Sequence, residues 1–175
     1  MIMKTTIAKS ERFRVLVALD SHAHAVTLIF EGELNEEAKL EEVSHYLERI
    51  SQQAHAVLFD LGGVRSLNSA GVRQWISFME ELPTDLSVNF LKVCESLVDQ
   101  ANLVPHILGK SVKAILSVMV PYVCTICKTR SSCEIQISSL DFHRVCESRC
   151  PHCGGLAKLD GLVEEYMGFL SRLEP

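Results

Sequence analysis

Four cysteines, arranged as Cys124-x2-Cys127 and Cys150-x2-Cys153, constrain the fold of this chain more tightly than any other feature. Each pair makes a tight knuckle that points two thiolates inward, and the 22 residues between the pairs can form a hairpin that brings the knuckles together. Two knuckles then complete one tetrahedron, and Gly154 and Gly155 supply a permissive turn after the second. The expected cofactor is a structural zinc on Cys124, Cys127, Cys150 and Cys153, whose binding would supply folding energy to a segment with little core of its own. A thioredoxin-like redox site fits less well, because it needs only one CxxC, placed after a strand at a helix start.

This spacing is that of a zinc ribbon. Cys133, Cys146, His143 and His152 could substitute as ligands or hold a second metal, but two CxxC pairs already close four positions, so these four read as bystanders. Of the seven cysteines only Cys94 precedes residue 123; the clustering argues for metal in a reducing compartment rather than a secreted disulfide framework. Cys94 itself follows an apolar run and reads as a small buried hydrophobe.

The 175 residues suffice for about one domain plus a small attachment. Lys4, Lys9, Glu11, Arg12 and Arg14 interrupt the first 14 residues, leaving no apolar core of a secretory signal. The longest apolar stretch, 114–124, contains Ser117 and Pro121 and is far short of the roughly 20 residues of a spanning helix. A soluble, cytoplasmic chain without a membrane partner is expected. A net charge of -5 supplies no basic field for nucleic acid, so the expected partner is a protein. In the cysteine-rich segment Lys128, Arg130, Arg144 and Arg149 are offset by Glu134, Asp141 and Glu147, and a four-thiolate centre adds about two negative charges.

Hydrophobic periodicity orders the elements. Residues 12–19 and 25–30 read as a hairpin split by Asp20-Ser21-His22. Asn35 is a plausible cap, with Glu36 and Glu37 in the first turn, for a helix burying Leu40, Val43, Leu47 and Ile50. A strand over 56–60, a helix over about 70–82 stopped by Pro83, a strand over 86–91 and a helix over 95–104 ended by Pro105 follow. Gly109-Lys110 turns into a last strand over 113–120, apolar on both faces and therefore interior, with Pro121 as a hinge. Residues 134–137 alternate as a short strand. Asp160 can cap a final helix whose Leu162, Val163, Tyr166, Met167, Phe169 and Leu170 must dock on something. The expected division is a body over 1–120 and a docked ribbon and C-terminal helix over 121–175.

The run Asp60 to Gly71, D-L-G-G-V-R-S-L-N-S-A-G, joins the apolar strand to the second helix and puts Ser69 at or beside the helix N-cap. There the helix dipole and orphan N–H groups favour a phosphate. This arrangement resembles the STAS domain of bacterial anti-sigma factor antagonists, over roughly residues 12–120. In that family a strand ends in Asp, and Asp-Ser-Ser-Gly or a near variant opens a helix whose serine is phosphorylated by a partner kinase. The resemblance matches Asp60 to the strand-terminal Asp, Ser69 to the phosphorylated serine and Gly71 to the loop glycine. Asn68 and Ala70 depart from the commoner Asp and Ser or Thr.

The resemblance implies an α/β fold, a STAS-like mixed β-sheet with helices, and a non-enzymatic regulatory role. Asn68, Ser69, Ala70, Gly71 and Arg73 would meet a protein partner, an anti-sigma-type serine kinase or another regulator, and phosphorylation of Ser69 would break the contact. The alternative is an unphosphorylated STAS-like scaffold or adaptor whose zinc-ribbon tail binds protein or nucleic acid. Without the resemblance Ser69 is an ordinary cap. Trp75 and Phe78 read mainly as core, and His22, His24, His45, His55 and His106 are scattered without metal-ligand spacing. No nucleophile elbow, P-loop or locally paired acids point to catalysis.

Overall fold

Val15, Val17, Leu28, Phe30, Val57, Phe59, Val88 and Phe90 alternate along their strands with more accessible residues, and all eight are buried. In the computed structural model, which describes residues 3–20, 25–52, 54, 56–139 and 145–172, they lie in one six-stranded mixed sheet. Its strands are β1 (Met3–Lys9), β2 (Phe13–Asp20), β3 (Ala25–Leu34), β4 (Ala56–Leu67), β5 (Ser87–Leu91) and β6 (Val112–Ile115), in that spatial order. The first three pair antiparallel and the last four parallel. The helices α1 (Leu40–Ser51), α2 (Ser69–Glu80) and α3 (Glu95–Leu103) connect the parallel strands.

The strand β1 has no counterpart in the periodicity. Lys4, Thr5 and Thr6 are exposed on a sheet edge, so the alternation that marks a half-buried strand is missing there. Asn35 does not cap α1. Its Oδ1 accepts from the Glu37 N–H at 2.9 Å in a local turn, and the helix begins five residues later at Leu40 without a side-chain cap. The strand expected over 56–60 extends to Leu67, because the ten-residue β3 runs on beside it and pairs Gly32 with Val64 and Leu34 with Leu67 across two register shifts. Asp60 therefore lies within the strand rather than at its end.

Trp75 and Phe78 of α2 are buried against Phe30, Phe59 and Phe90, with the Phe30 and Trp75 rings edge to face at 5.6 Å. Such pairs contribute about 0.5–1.5 kcal/mol beyond their burial. The Trp75 indole N–H donates to the Ile107 carbonyl at 3.0 Å, so the buried polar atom is satisfied.

The strand expected over 113–120 is two strands in two sheets. The chain leaves β6, an edge strand, at Leu116 and enters β7 (Ser117–Cys124), which is flanked on both sides in a second, antiparallel sheet. Pro121 is no hinge: it pairs opposite Ser132 inside β7, and the division at 120/121 falls within that strand. The second sheet holds β8 (Arg130–Gln136), β7, β10 (Leu156–Leu159) and β9 (Glu147–Arg149), in that order. The final helix is short, α4 (Val163–Tyr166) followed by a 3-10 turn over Gly168–Arg172, and it opens at Leu162 rather than under an Asp160 cap. Val163, Met167 and Phe169 are buried in the same apolar cluster as the body. Asn102 Nδ2 of α3 donates to the Tyr166 carbonyl at 3.1 Å, and the Tyr166 hydroxyl donates to the Met119 carbonyl.

Candidate functional site

The four cysteines of the two knuckles meet at one end of the second sheet. Cys124 closes β7, Cys150 follows β9, and Cys127 and Cys153 stand on the turns beyond them. Cys124 Sγ lies 3.5 Å from Cys153 Sγ, and Cys127 Sγ lies 3.6 Å from Cys150 Sγ. All four sulfurs fall within 4.8 Å of one another, close enough to hold a metal ion. A regular tetrahedron with metal–sulfur bonds of about 2.3 Å places its sulfurs about 3.8 Å apart, which this spacing brackets.

The two knuckles repeat one backbone pattern. The Lys128 N–H donates to the Cys124 carbonyl (3.2 Å) and the Cys124 N–H to the Thr129 carbonyl (3.0 Å). The Gly154 N–H donates likewise to the Cys150 carbonyl (2.9 Å) and the Cys150 N–H to the Gly155 carbonyl (2.8 Å). Lys128 at φ 59° and Gly154 at φ 71° take the same left-handed conformation. The role of Lys128 was legible in principle, since it follows its CxxC as Gly154 follows the other.

Thiolates are favoured unevenly. Hydrogen bonding from Thr129, side chain and backbone, holds Cys127 down to about 6, and the Cys127 and Ile126 N–H groups lower Cys124. The Gly155 N–H favours the Cys153 thiolate, yet the neighbouring Cys124 and Cys127 thiols outweigh it and push Cys153 up to about 11. Four thiolates at these distances repel one another, and a bound cation removes that repulsion. Cys133 Sγ instead faces Ser148 Oγ at 3.6 Å, His152 is exposed, and Cys146 is absent from the cluster. Cys94 is buried, and burial pushes its thiol up. Arg130, counted above with the charges of the cysteine-rich segment, reaches outward to Glu95 of α3 at 2.9 Å and to Asp160 at 3.5 Å.

The second candidate is the start of α2. Asn68 is the N-cap: its Oδ1 accepts from the Gly71 N–H at 2.8 Å, and Ser69 stands beside it. Ser69 stands exposed at the first helical position, and no acidic residue occupies that turn. Asn68 Nδ2 also donates to Glu36 Oε2 at 2.9 Å, and this bond holds the Glu36 carboxyl below its usual range. An Asp at 68 could accept from Gly71 but could not donate to Glu36, so this pair of bonds requires an amide. Glu36 was missed by pattern reading because it is 32 residues away.

The residues of the expected partner surface separate. Asn68, Ser69 and Arg73 are exposed and Ala70 is half-buried, whereas Gly71 is buried. A Cβ on Gly71 would meet the Leu34 carbonyl oxygen at 2.0 Å, so its absence lets α2 approach the end of β3. Gly71 positions the loop. His45 and His106 are exposed and belong to no metal-binding cluster among the described residues, while His22, His24, His55, Asp141, His143 and Arg144 lie outside the described residues. Among the described residues no helix is long and apolar enough to cross a membrane. In comparisons with known proteins, the chain matches no family model, no curated protein and no solved structure.

Proposed function

We propose that this chain is a non-enzymatic regulatory binding protein, in which phosphorylation of Ser69 switches contact with a protein partner and the four-cysteine centre holds a structural zinc. The observation that carries the switch is an exposed Ser69 at the first position of a 12-residue helix whose cap is supplied by Asn68. Because the cap bond does not use Ser69, a phosphate there would leave the helix start intact and gain from the dipole and free N–H groups. Arg73, four residues on and exposed, lies on the same helix face and can pair with it. A hairpin followed by alternating helix and strand supports the STAS-like reading. For the metal, an all-sulfur tetrahedron supports zinc, which would supply rigidity and folding energy rather than chemistry.

The test is to recover a partner with the full-length chain and compare its affinity for wild type, Ser69→Ala and Ser69→Asp. Asp is expected to weaken binding about tenfold or more while melting temperature holds, since desolvating a new charge in an interface costs several kcal/mol. Equal affinities would overturn the switch. They would favour the adaptor reading, for which Ile126, 70% exposed inside the first knuckle, is the supporting observation.

A further inference from the structure

Leu103 ends α3 and Leu162 immediately precedes α4; they are 75% and 60% exposed, and both line one cleft of about 370 Å³ between those helices. Exposed leucines taken singly need no explanation. Here two of them converge on a concave surface built jointly by the first sheet's α3 and the C-terminal segment docked on it. Among the described residues that line the cleft, the charged side chains are Asp99, Asp160 and Glu165, with no Lys, Arg or His. Asp160 is shared with Arg130 at 3.5 Å, while Asp99 and Glu165 have no ion pair among the described residues.

We propose that this cleft docks a basic amphipathic helix of a partner protein, seating an apolar side chain between Leu103 and Leu162 and setting Lys or Arg against Asp99 and Glu165. Charge selects this occupant. A two-fold contact with a second copy would turn each carboxylate cluster toward its own image, and like charges face to face disfavour it. The carboxylates also repel an anionic lipid surface. A helix that brings both apolar and cationic residues satisfies the two halves of the surface at once. The site shares no residue with the start of α2, so it stands independently of the Ser69 switch.

The test uses the full-length chain and a labelled peptide of roughly 18 residues, long enough to form a helix, with Leu on one face and Lys on the other; a Leu/Glu peptide serves as its counterpart. Fluorescence anisotropy is expected to show binding of the Leu/Lys peptide alone. Leu103→Ser with Leu162→Ser, and separately Asp99→Asn with Glu165→Gln, should each weaken it about tenfold or more, and Ser69→Asp should leave it unchanged. All substituted side chains are exposed, and melting temperatures confirm that the variants fold. Equal binding to wild type and either double variant would mean general attraction to an acidic chain and overturn the proposal. So would binding of the Leu/Glu peptide, or self-association abolished by the leucine substitutions.

Discussion

Lys92 Nζ lies 2.8 Å from Asp60 Oδ2, joining the residue that follows β5 to the middle of β4. Lys92 takes φ 50°, and its N–H donates to Ser117 Oγ at 2.8 Å. Ser117, fully buried at the start of β7, donates in turn to Glu134 Oε1 of β8 at 2.7 Å. The ion pair thus anchors a polar relay from the first sheet to the second.

Asp60→Asn should keep the bond from the Gly62 N–H and lose the ion pair. With the Lys92 side chain 36% exposed, the expected loss is about 0.5–1 kcal/mol in urea denaturation. Hydrogen bonding to Asp60 raises Lys92 above 10.5, so this contribution is present below that pH and disappears as pH rises through the folded value. The gap between wild type and variant should therefore close in strong alkali.

Purified protein should carry about one zinc per chain, and Cys150→Ser with Cys153→Ser should abolish it. Because Cys124 and Cys150 lie in the common core, metal loss should also lower the melting temperature, by roughly 10 °C. Metal analysis and calorimetry on wild type and variant decide this; an unchanged zinc content would reject the ligand assignment.

At the knuckles, Gly154→Ala should cost about 1–2 kcal/mol, the price of a left-handed Ala. Among the described residues nothing lies within 4 Å of the added Cβ, so no steric cost is expected from them. Lys128→Gly should instead stabilise by about 0.5 kcal/mol, relieved strain exceeding the added entropy of the unfolded chain. Thermal unfolding of the zinc-loaded proteins checks both signs.

Asn68→Asp should retain the helix cap but set a carboxylate against Glu36, lowering stability at neutral pH. The wild-type bond depresses Glu36 below its ordinary 4.5, so its contribution is complete above that pH and is lost as pH falls through the folded value. Melting temperatures of the two proteins should consequently converge on acidification. A difference that is constant with pH would show that the bond does not form.

Tyr166→Phe should cost about 1 kcal/mol by removing the bond to the Met119 carbonyl. Burial, reinforced by Glu95 and Asp99, raises the Tyr166 phenol above 10.0. Wild type should then lose stability as pH climbs past 10 toward the folded value, whereas the phenylalanine variant has no phenol to titrate there. Alkaline denaturation followed for both proteins should show the gap narrowing.

The knuckles were legible because a CxxC pair sets its own geometry within a few bonds, and α1 and α2 because a buried stripe repeats every turn. Ser69 could likewise be placed at a helix start by local pattern alone. The edge strand β1, the extension of β4 to Leu67 and the change of sheet at Leu116 were decided elsewhere, by partner strands distant in the chain. Which residue caps α2, why Asn stands at 68 and how Gly71 admits the end of β3 depend on Glu36 and Leu34, more than 30 residues away. The sequence by itself determined those features whose energy lies in neighbours along the chain. Tertiary structure decided the rest, because a strand's hydrogen bonds and a cap's second partner come from segments that only folding brings within reach.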